Sequence, residues 1–136
     1  MSVNEAKEWL TKFDKKGMMH CVMVYGTSYG GGPFVGGVCN CDYPGCYEIR
    51  NRLDYNLEHS LLKSHYVAVV DYDLCDGCGI CARSCQFGAL KMEASRGKAN
   101  IEMYRCFGCG LCENACPMGA ISLVKREAIP ALKEEW

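Results

Sequence analysis

Eight cysteines stand in two runs with the same spacing, and this spacing is typical of one kind of metal chemistry. In each run three cysteines are separated by two residues, and a fourth follows after three more. The runs are Cys75, Cys78, Cys81 and Cys85, and then Cys106, Cys109, Cys112 and Cys116. Three thiolates two residues apart can wrap around three corners of a cubane, which is how bacterial-type [4Fe–4S] clusters are held. The sequence therefore predicts two [4Fe–4S] clusters, which exchange one electron at a time.

The fourth corner of each cluster comes from the other run, because in two-cluster proteins of this type the fourth cysteine ligates the partner cluster. We define the predicted site I as Cys75, Cys78, Cys81 and Cys116. We define the predicted site II as Cys85, Cys106, Cys109 and Cys112. This crossing ties the two runs together, so neither cluster is expected to form stably alone.

The two runs belong to an internal repeat, since residues 71–90 align with residues 102–121 without a gap. Each half is predicted as a short strand, a cysteine loop, a helical turn that carries the fourth cysteine, and a second strand. Residues 95–98 have turn chemistry and predict a hairpin between the halves.

Residues 66–124 resemble a bacterial-type two-[4Fe–4S] ferredoxin domain, through both cysteine runs and the proline that follows Cys116. The resemblance covers a little under half of the chain. It implies an α+β, ferredoxin-like fold with a pseudo-twofold repeat, and low-potential electron transfer. One position departs from the family, because Gln86 and not proline follows Cys85. The proline is not a ligand, so we expect the clusters to assemble and the hydrogen bonding near site II to change.

The first 65 residues lie outside this resemblance and are predicted to form a small α/β N-terminal extension. Ser2 and Glu5 have the spacing of a capping box and predict a helix over residues 2–16. Trp9 and Phe13 lie on the apolar stripe of this helix and are predicted to pack in the core.

A buried strand is predicted over residues 18–25, and a glycine-rich loop follows over residues 26–37. The loop lacks the signatures of phosphate-binding loops, so we expect its glycines to allow close backbone approach to another group. A second helix is predicted to begin at Cys46, because apolar residues recur at every fourth position after it. These residues are Ile49, Leu53, Leu57 and Leu61.

The extension contains four further cysteines that predict a third metal site, namely Cys21, Cys39, Cys41 and Cys46. Three interpretations compete. The cysteines hold a third [4Fe–4S] cluster, or they hold zinc, with His20 as an alternative ligand in place of Cys21, or they are free thiols. The spacing does not distinguish these interpretations.

Charge and hydropathy indicate which kinds of partner the chain can bind. The formal net charge is −1, which argues against nucleic-acid binding, and two clusters would bring it to about −5. A redox partner with a basic patch is therefore expected. No apolar run is long enough for a membrane span, and no secretory signal opens the chain, so we expect a cytoplasmic protein. The mixed charges of residues 125–136 leave three alternatives. The tail packs back on the domain, or it docks on a partner with Trp136 as an apolar anchor, or it is frayed.

The sequence thus predicts an N-terminal extension (1–65), a ferredoxin domain (66–124) and a C-terminal tail (125–136). The predicted function is electron transfer, either as a carrier or as a subunit of a larger cytoplasmic oxidoreductase, without catalysis of its own. The alternative is a small iron–sulfur reductase, whose N-terminal metal or thiol site would be catalytic and fed by the two clusters. A third hypothesis is an interaction module with structural metals.

Overall fold

The computed structural model of the chain describes residues 1–25 and 34–135. Its helices are α1 (Val3–Asp14), α2 (Tyr47–Asp54), α3 (Ile80–Ser84) and α4 (Leu111–Ala115). Its strands are β1 (Met19–Tyr25), β2 (Phe34–Cys41), β3 (Tyr66–Val70), β4 (Leu90–Glu93), β5 (Lys98–Ile101) and β6 (Ile121–Lys125). They pair antiparallel as β1–β2, β3–β6 and β4–β5. Short 3-10 helices cover Glu58–Ser60, Met103–Arg105, Arg126–Ala128 and Pro130–Leu132.

The second half of the chain is a small ferredoxin-like unit of mixed helix and strand. The predicted hairpin over residues 95–98 is confirmed, since β4 and β5 pair on either side of this turn. The predicted strand that leads into Cys75 is confirmed as β3, which pairs with β6 at the far end of the domain. The core lies between these two sheets and includes Val67, Ala99 and Ile121.

Helix α1 begins as the sequence predicts. The Glu5 N–H donates to Ser2 Oγ at 3.3 Å, and the Ser2 N–H donates to Glu5 Oε2 at 2.6 Å, which forms the capping box. The prediction that Trp9 and Phe13 are core residues is wrong. Trp9 remains 45 % exposed, and its ring lies 4.4 Å from that of Phe13. The two rings pack on each other at the helix surface. None of the side chains of α1 is fully buried.

Helix α2 begins after Cys46 as predicted, but it is shorter than the periodicity indicated. It ends at Asp54, and Asn56 adopts a left-handed φ of 56°. The helix therefore cannot continue, and Leu57 is left 53 % exposed. The predicted apolar face is correct for Ile49, which is fully buried, and for Leu53 and Leu61, which pack against the same cluster, but it is wrong for Leu57.

The glycine-rich loop predicted over residues 26–37 lies mostly outside the described residues, and residues 34–37 belong to β2. No helix in residues 1–25 or 34–135 is long and apolar enough to cross a membrane.

The C-terminal tail packs against the domain. Leu132 is 1 % exposed and belongs to the same core as Val67. Lys63 Nζ pairs with Glu135 Oε2 at 3.5 Å. Of the three alternatives for the tail, these contacts favour packing on the domain, while Trp136 lies outside the described residues.

Candidate metal centres

Each helical turn of the domain places cysteines of both predicted sites. Helix α3 carries Cys81 and ends at Cys85, while α4 carries Cys112 and ends at Cys116. In both helices the first cysteine thus belongs to one predicted site and the residue at the helix end to the other. The helices pack against each other, which brings the two runs together.

The structure brings the four cysteines of site II together. A cavity in the domain is lined by Cys85, Cys106, Cys109 and Cys112. Phe87, Phe107 and Leu111 line the same cavity and are buried. Cys85 thus reaches the second run although it belongs to the first.

The cysteines of site I also face one another. The charges of Cys116, Cys75 and Cys78 all act on Cys81, which is 5 % exposed. Cys78 is exposed, while Cys75 and Cys116 are partly buried. The fourth thiol of this group again comes from the other run.

Burial disfavours the thiolate form of the cysteines in both sites, so these thiols need a nearby positive charge to ionise. Burial, together with a smaller effect of neighbouring cysteines, raises the pKa of Cys109 to about 11 and that of Cys112 to about 12. Burial likewise raises the pKa of Cys81. Backbone N–H groups of Leu111 and Glu113 lower the pKa values of Cys109 and Cys112 in part. Four thiolates at one place are stable only around a cationic metal core, because a bound metal deprotonates its thiol ligands. The residues therefore fit an iron–sulfur cluster.

Two glycines allow the cysteine loops to lie close to the backbone. Gly77 has a φ of 77°, and a Cβ there would lie 2.1 Å from the Gly97 carbonyl oxygen. Gly108 has a φ of 68°, and a Cβ there would lie 2.1 Å from the Tyr66 carbonyl oxygen. Any side chain at either position would push the loop away from the strands.

A buried arginine lies next to site II, and the sequence analysis placed it only among the mixed charges of the tail. Arg126 is 0 % exposed. It donates to the carbonyl oxygens of Cys106 at 2.8 Å, Tyr66 at 3.0 Å and Ser64 at 3.1 Å. Burial lowers the pKa of Arg126, and the charge of Cys106 opposes this effect. Among the described residues, no carboxylate forms an ion pair with the guanidinium, and the charge of Glu135 acts on it in the same direction as that of Cys106.

Gln86 replaces the proline expected after Cys85 and joins the extension to the domain. Its side chain accepts from the Tyr43 N–H at 2.9 Å and donates to the Gly17 carbonyl oxygen at 2.7 Å. Asn114 makes a second contact, because its Nδ2 donates to both carboxylate oxygens of Asp14 at 2.9 Å. The departure from the family pattern was visible in the sequence, whereas its partners were not.

The four cysteines of the extension also lie together, and we define Cys21, Cys39, Cys41 and Cys46 as the N-terminal site. The alternative ligand His20 is not among them, because its Nδ1 lies 2.7 Å from Asn40 Oδ1 on the opposite face of the β1–β2 pair.

Within the described part of the chain, no three His, Cys, Asp or Glu side chains surround a point where one metal ion would sit. This holds for sites I and II as well as for the N-terminal site, so it does not distinguish the N-terminal site from the two predicted cluster sites.

Residues 74–128 match the family model of the 4Fe-4S dicluster domain. This part of the chain is therefore an iron–sulfur domain of the dicluster ferredoxin class, which carries two [4Fe–4S] clusters and transfers electrons. The chain is similar to the pyruvate synthase subunit PorD of Methanothermobacter marburgensis, with 39 % identity over 51 residues. That stretch is 38 % of this chain and 59 % of the relative, so the chain spans less than two thirds of the relative's length.

Proposed function

We propose that this chain is the electron-transfer subunit of a larger oxidoreductase. The observation that carries the proposal is the gathering of eight cysteines into two groups, each completed by a thiol from the other run. The similar subunit of a pyruvate synthase supports a partner of this kind. The alternative of a small reductase is not favoured, since the matched domain and the relative both indicate electron transfer.

The residues of sites I and II are proposed as the cluster ligands in the crossed arrangement, which makes the pseudo-twofold repeat a repeat of function as well. When bound, each cluster accepts and releases one electron at low potential. The protein holds the thiolates, donates N–H groups to sulfur and controls how much water reaches each site. The Ala68 N–H donates to Cys106 Sγ at 3.5 Å and the Ala120 N–H donates to Cys116 Sγ at 3.3 Å, which are contacts of this type.

Site I is proposed as the end that exchanges electrons with the partner protein. Cys78 is exposed, and Leu74, which precedes Cys75 in the chain, is 50 % exposed. Exposed carboxylates at Asp73 and Asp76 flank the first cysteine of the run. An apolar patch with an acidic rim fits a partner surface that carries basic residues.

The test is a coulometric titration of the full chain, purified without oxygen. Sites I and II should together take up about two electrons per chain. The same titration on Cys112→Ser should lose at least about one of them, since one ligand of site II is removed. A wild-type chain that takes up fewer than about two electrons at low potential would overturn the proposal.

A further inference from the structure

The N-terminal site is assembled from three elements that the extension folds onto one face. Cys21 in β1 lies directly opposite Cys39 in β2, so both side chains point to the same side of the strand pair. Cys41 lies two residues further along β2 and shares that side. A tight turn, closed by the Cys46 N–H on the Asp42 carbonyl oxygen at 2.8 Å, then returns Cys46 to the group.

The four thiols contact one another directly. Cys41 Sγ lies 2.9 Å from Cys39 Sγ. Cys46 is a further hydrogen-bonding partner of Cys41, and so is Cys21. Cys41, at the centre of the group, is 5 % exposed.

This group is unlike ordinary cysteine in a protein core. Single cysteines pack as small apolar residues, but here four sulfur atoms converge on one another. A metal cation is the group that turns such converging thiols into thiolate ligands.

The N-terminal site lies beside site II. Its cysteines pack on an apolar cluster formed by Met19, Cys41, Ile49, Phe87, Phe107 and Leu111, and two ligands of site II, Cys85 and Cys109, pack on the same cluster. The Phe87 and Phe107 rings stack at 4.1 Å within it. Gln86, next to Cys85, also holds the turn between Cys41 and Cys46 through the Tyr43 N–H.

We propose that Cys21, Cys39, Cys41 and Cys46 bind a thiophilic metal as a third four-cysteine centre, packed against site II. The proposal goes beyond the electron-transfer function, which rests on sites I and II. Four thiolates take either a [4Fe–4S] cluster or a zinc ion, and both leave a net charge of about −2. The shared chemistry is therefore a tetrathiolate centre, and metal analysis identifies its occupant.

The first experiment measures iron, sulfide and zinc in the full chain purified without oxygen, after dialysis against a chelator to remove loosely bound metal. About 12 iron atoms per chain, or about eight iron atoms and one zinc, would support the third centre. About eight iron atoms and no zinc would overturn it.

Cys46→Ser is the decisive variant, because it removes a ligand at a position where serine suits the fold. Cys46 is the N-cap of α2, and serine is among the preferred N-cap residues. The variant should lose the third metal and keep the roughly eight iron atoms of sites I and II. His20→Ala is the matched control and should keep all metal. Equal metal content in wild type and Cys46→Ser would overturn the proposal.

A second measurement tests the position of the third centre. Loss of its net negative charge should raise the reduction potential of site II more than that of site I, because the site lies next to Cys85 and Cys109. Redox titrations of wild type and Cys46→Ser, followed by electron paramagnetic resonance, measure both potentials. Equal shifts, or no shift after the third metal is lost, would overturn the placement beside site II.

Discussion

Sites I and II have the same cysteine spacing, yet their surroundings differ sharply. Ile80, after the second cysteine of the first run, is 36 % exposed, whereas Leu111 at the aligned position is 4 % exposed. Phe87 after Cys85 is 3 % exposed, whereas Met118 at the aligned position is 49 % exposed. Site II is thus covered and site I is open. One repeated cysteine motif is therefore covered in one copy and open in the other, depending on what packs over each copy.

The N-terminal extension is the source of this difference. Phe107 and Leu111 of site II share an apolar cluster with Met19 and Ile49 of the extension. At the position aligned with Phe107 the first run has Asp76, which is exposed. The N–H of Cys78 donates to Asp76 Oδ1 at 3.0 Å and lowers the pKa of this carboxyl group. The charge of Asp76 thus remains at the open site, where a basic partner can meet it.

The largest expected effect comes from removing aligned ligands, Cys109→Ser in site II and Cys78→Ser in site I. Each variant should lose at least about four iron atoms per chain, because one ligand is removed and the crossed ligands couple the two clusters. Cys109→Ser should also lower the free energy of unfolding more, because it places a hydroxyl in a covered apolar cluster. Iron analysis and denaturant unfolding of both variants measure this. Cys109→Ser should keep the metal of the N-terminal site, so loss of every metal signal would contradict the independence of the two regions.

Arg126→Met tests the buried cation beside site II. Removing the positive charge should lower the potential of site II by several tens of millivolts, on the order of 1 kcal/mol per electron. The potential of site I should change less. Redox titration followed by electron paramagnetic resonance separates the two values.

Arg126→Lys is the control for this prediction, since it keeps the charge while it loses several hydrogen bonds to carbonyl oxygens. The reduction potential of site II in this variant should stay close to that of wild type, even if the variant is less stable. Equal potentials for site II in wild type and Arg126→Met would show that the arginine is only structural.

Gln86→Pro restores the residue expected after Cys85 and removes the link to the extension. Two hydrogen bonds are lost, so the extension should be held less tightly by about 1–3 kcal/mol. Hydrogen exchange around Gly17 and Tyr43 should accelerate, and oxygen should damage site II faster. Asn114→Ala, which removes the separate contact with Asp14, should loosen α1 without the same effect on Tyr43. Unchanged exchange in Gln86→Pro would show that apolar packing alone holds the extension.

The smallest expected effect concerns the acidic rim of site I. Asp73→Lys should slow electron transfer to a basic cytochrome c by about fivefold at low salt, because a charge that attracts the acceptor is reversed. The difference should shrink as salt is raised. Stopped-flow reduction of the cytochrome at several ionic strengths measures it. Glu127→Lys, in the C-terminal tail, is the matched control and should change the rate less.

Interactions between residues close in the chain explain where the sequence patterns succeeded. The capping box at Ser2 and the hairpin between β4 and β5 depend on residues within a few positions of one another, so both were predicted correctly. The length of α2 was not predicted correctly. The apolar spacing continues past residue 56, but the left-handed conformation of Asn56 ends the helix. Trp9 was misassigned because periodicity identifies an apolar face and does not reveal whether anything packs on it.

The sequence by itself determined the chemistry, because eight cysteines at fixed spacing allow few ligand arrangements around a cubane. It also identified the four cysteines of the extension. Only the tertiary structure decided that Arg126 lies buried against Cys106, that Gln86 binds the extension, and that the N-terminal site packs beside site II. These contacts join residues 20 to 69 positions apart. Their partners are selected by packing in three dimensions, which leaves no periodic trace along the chain.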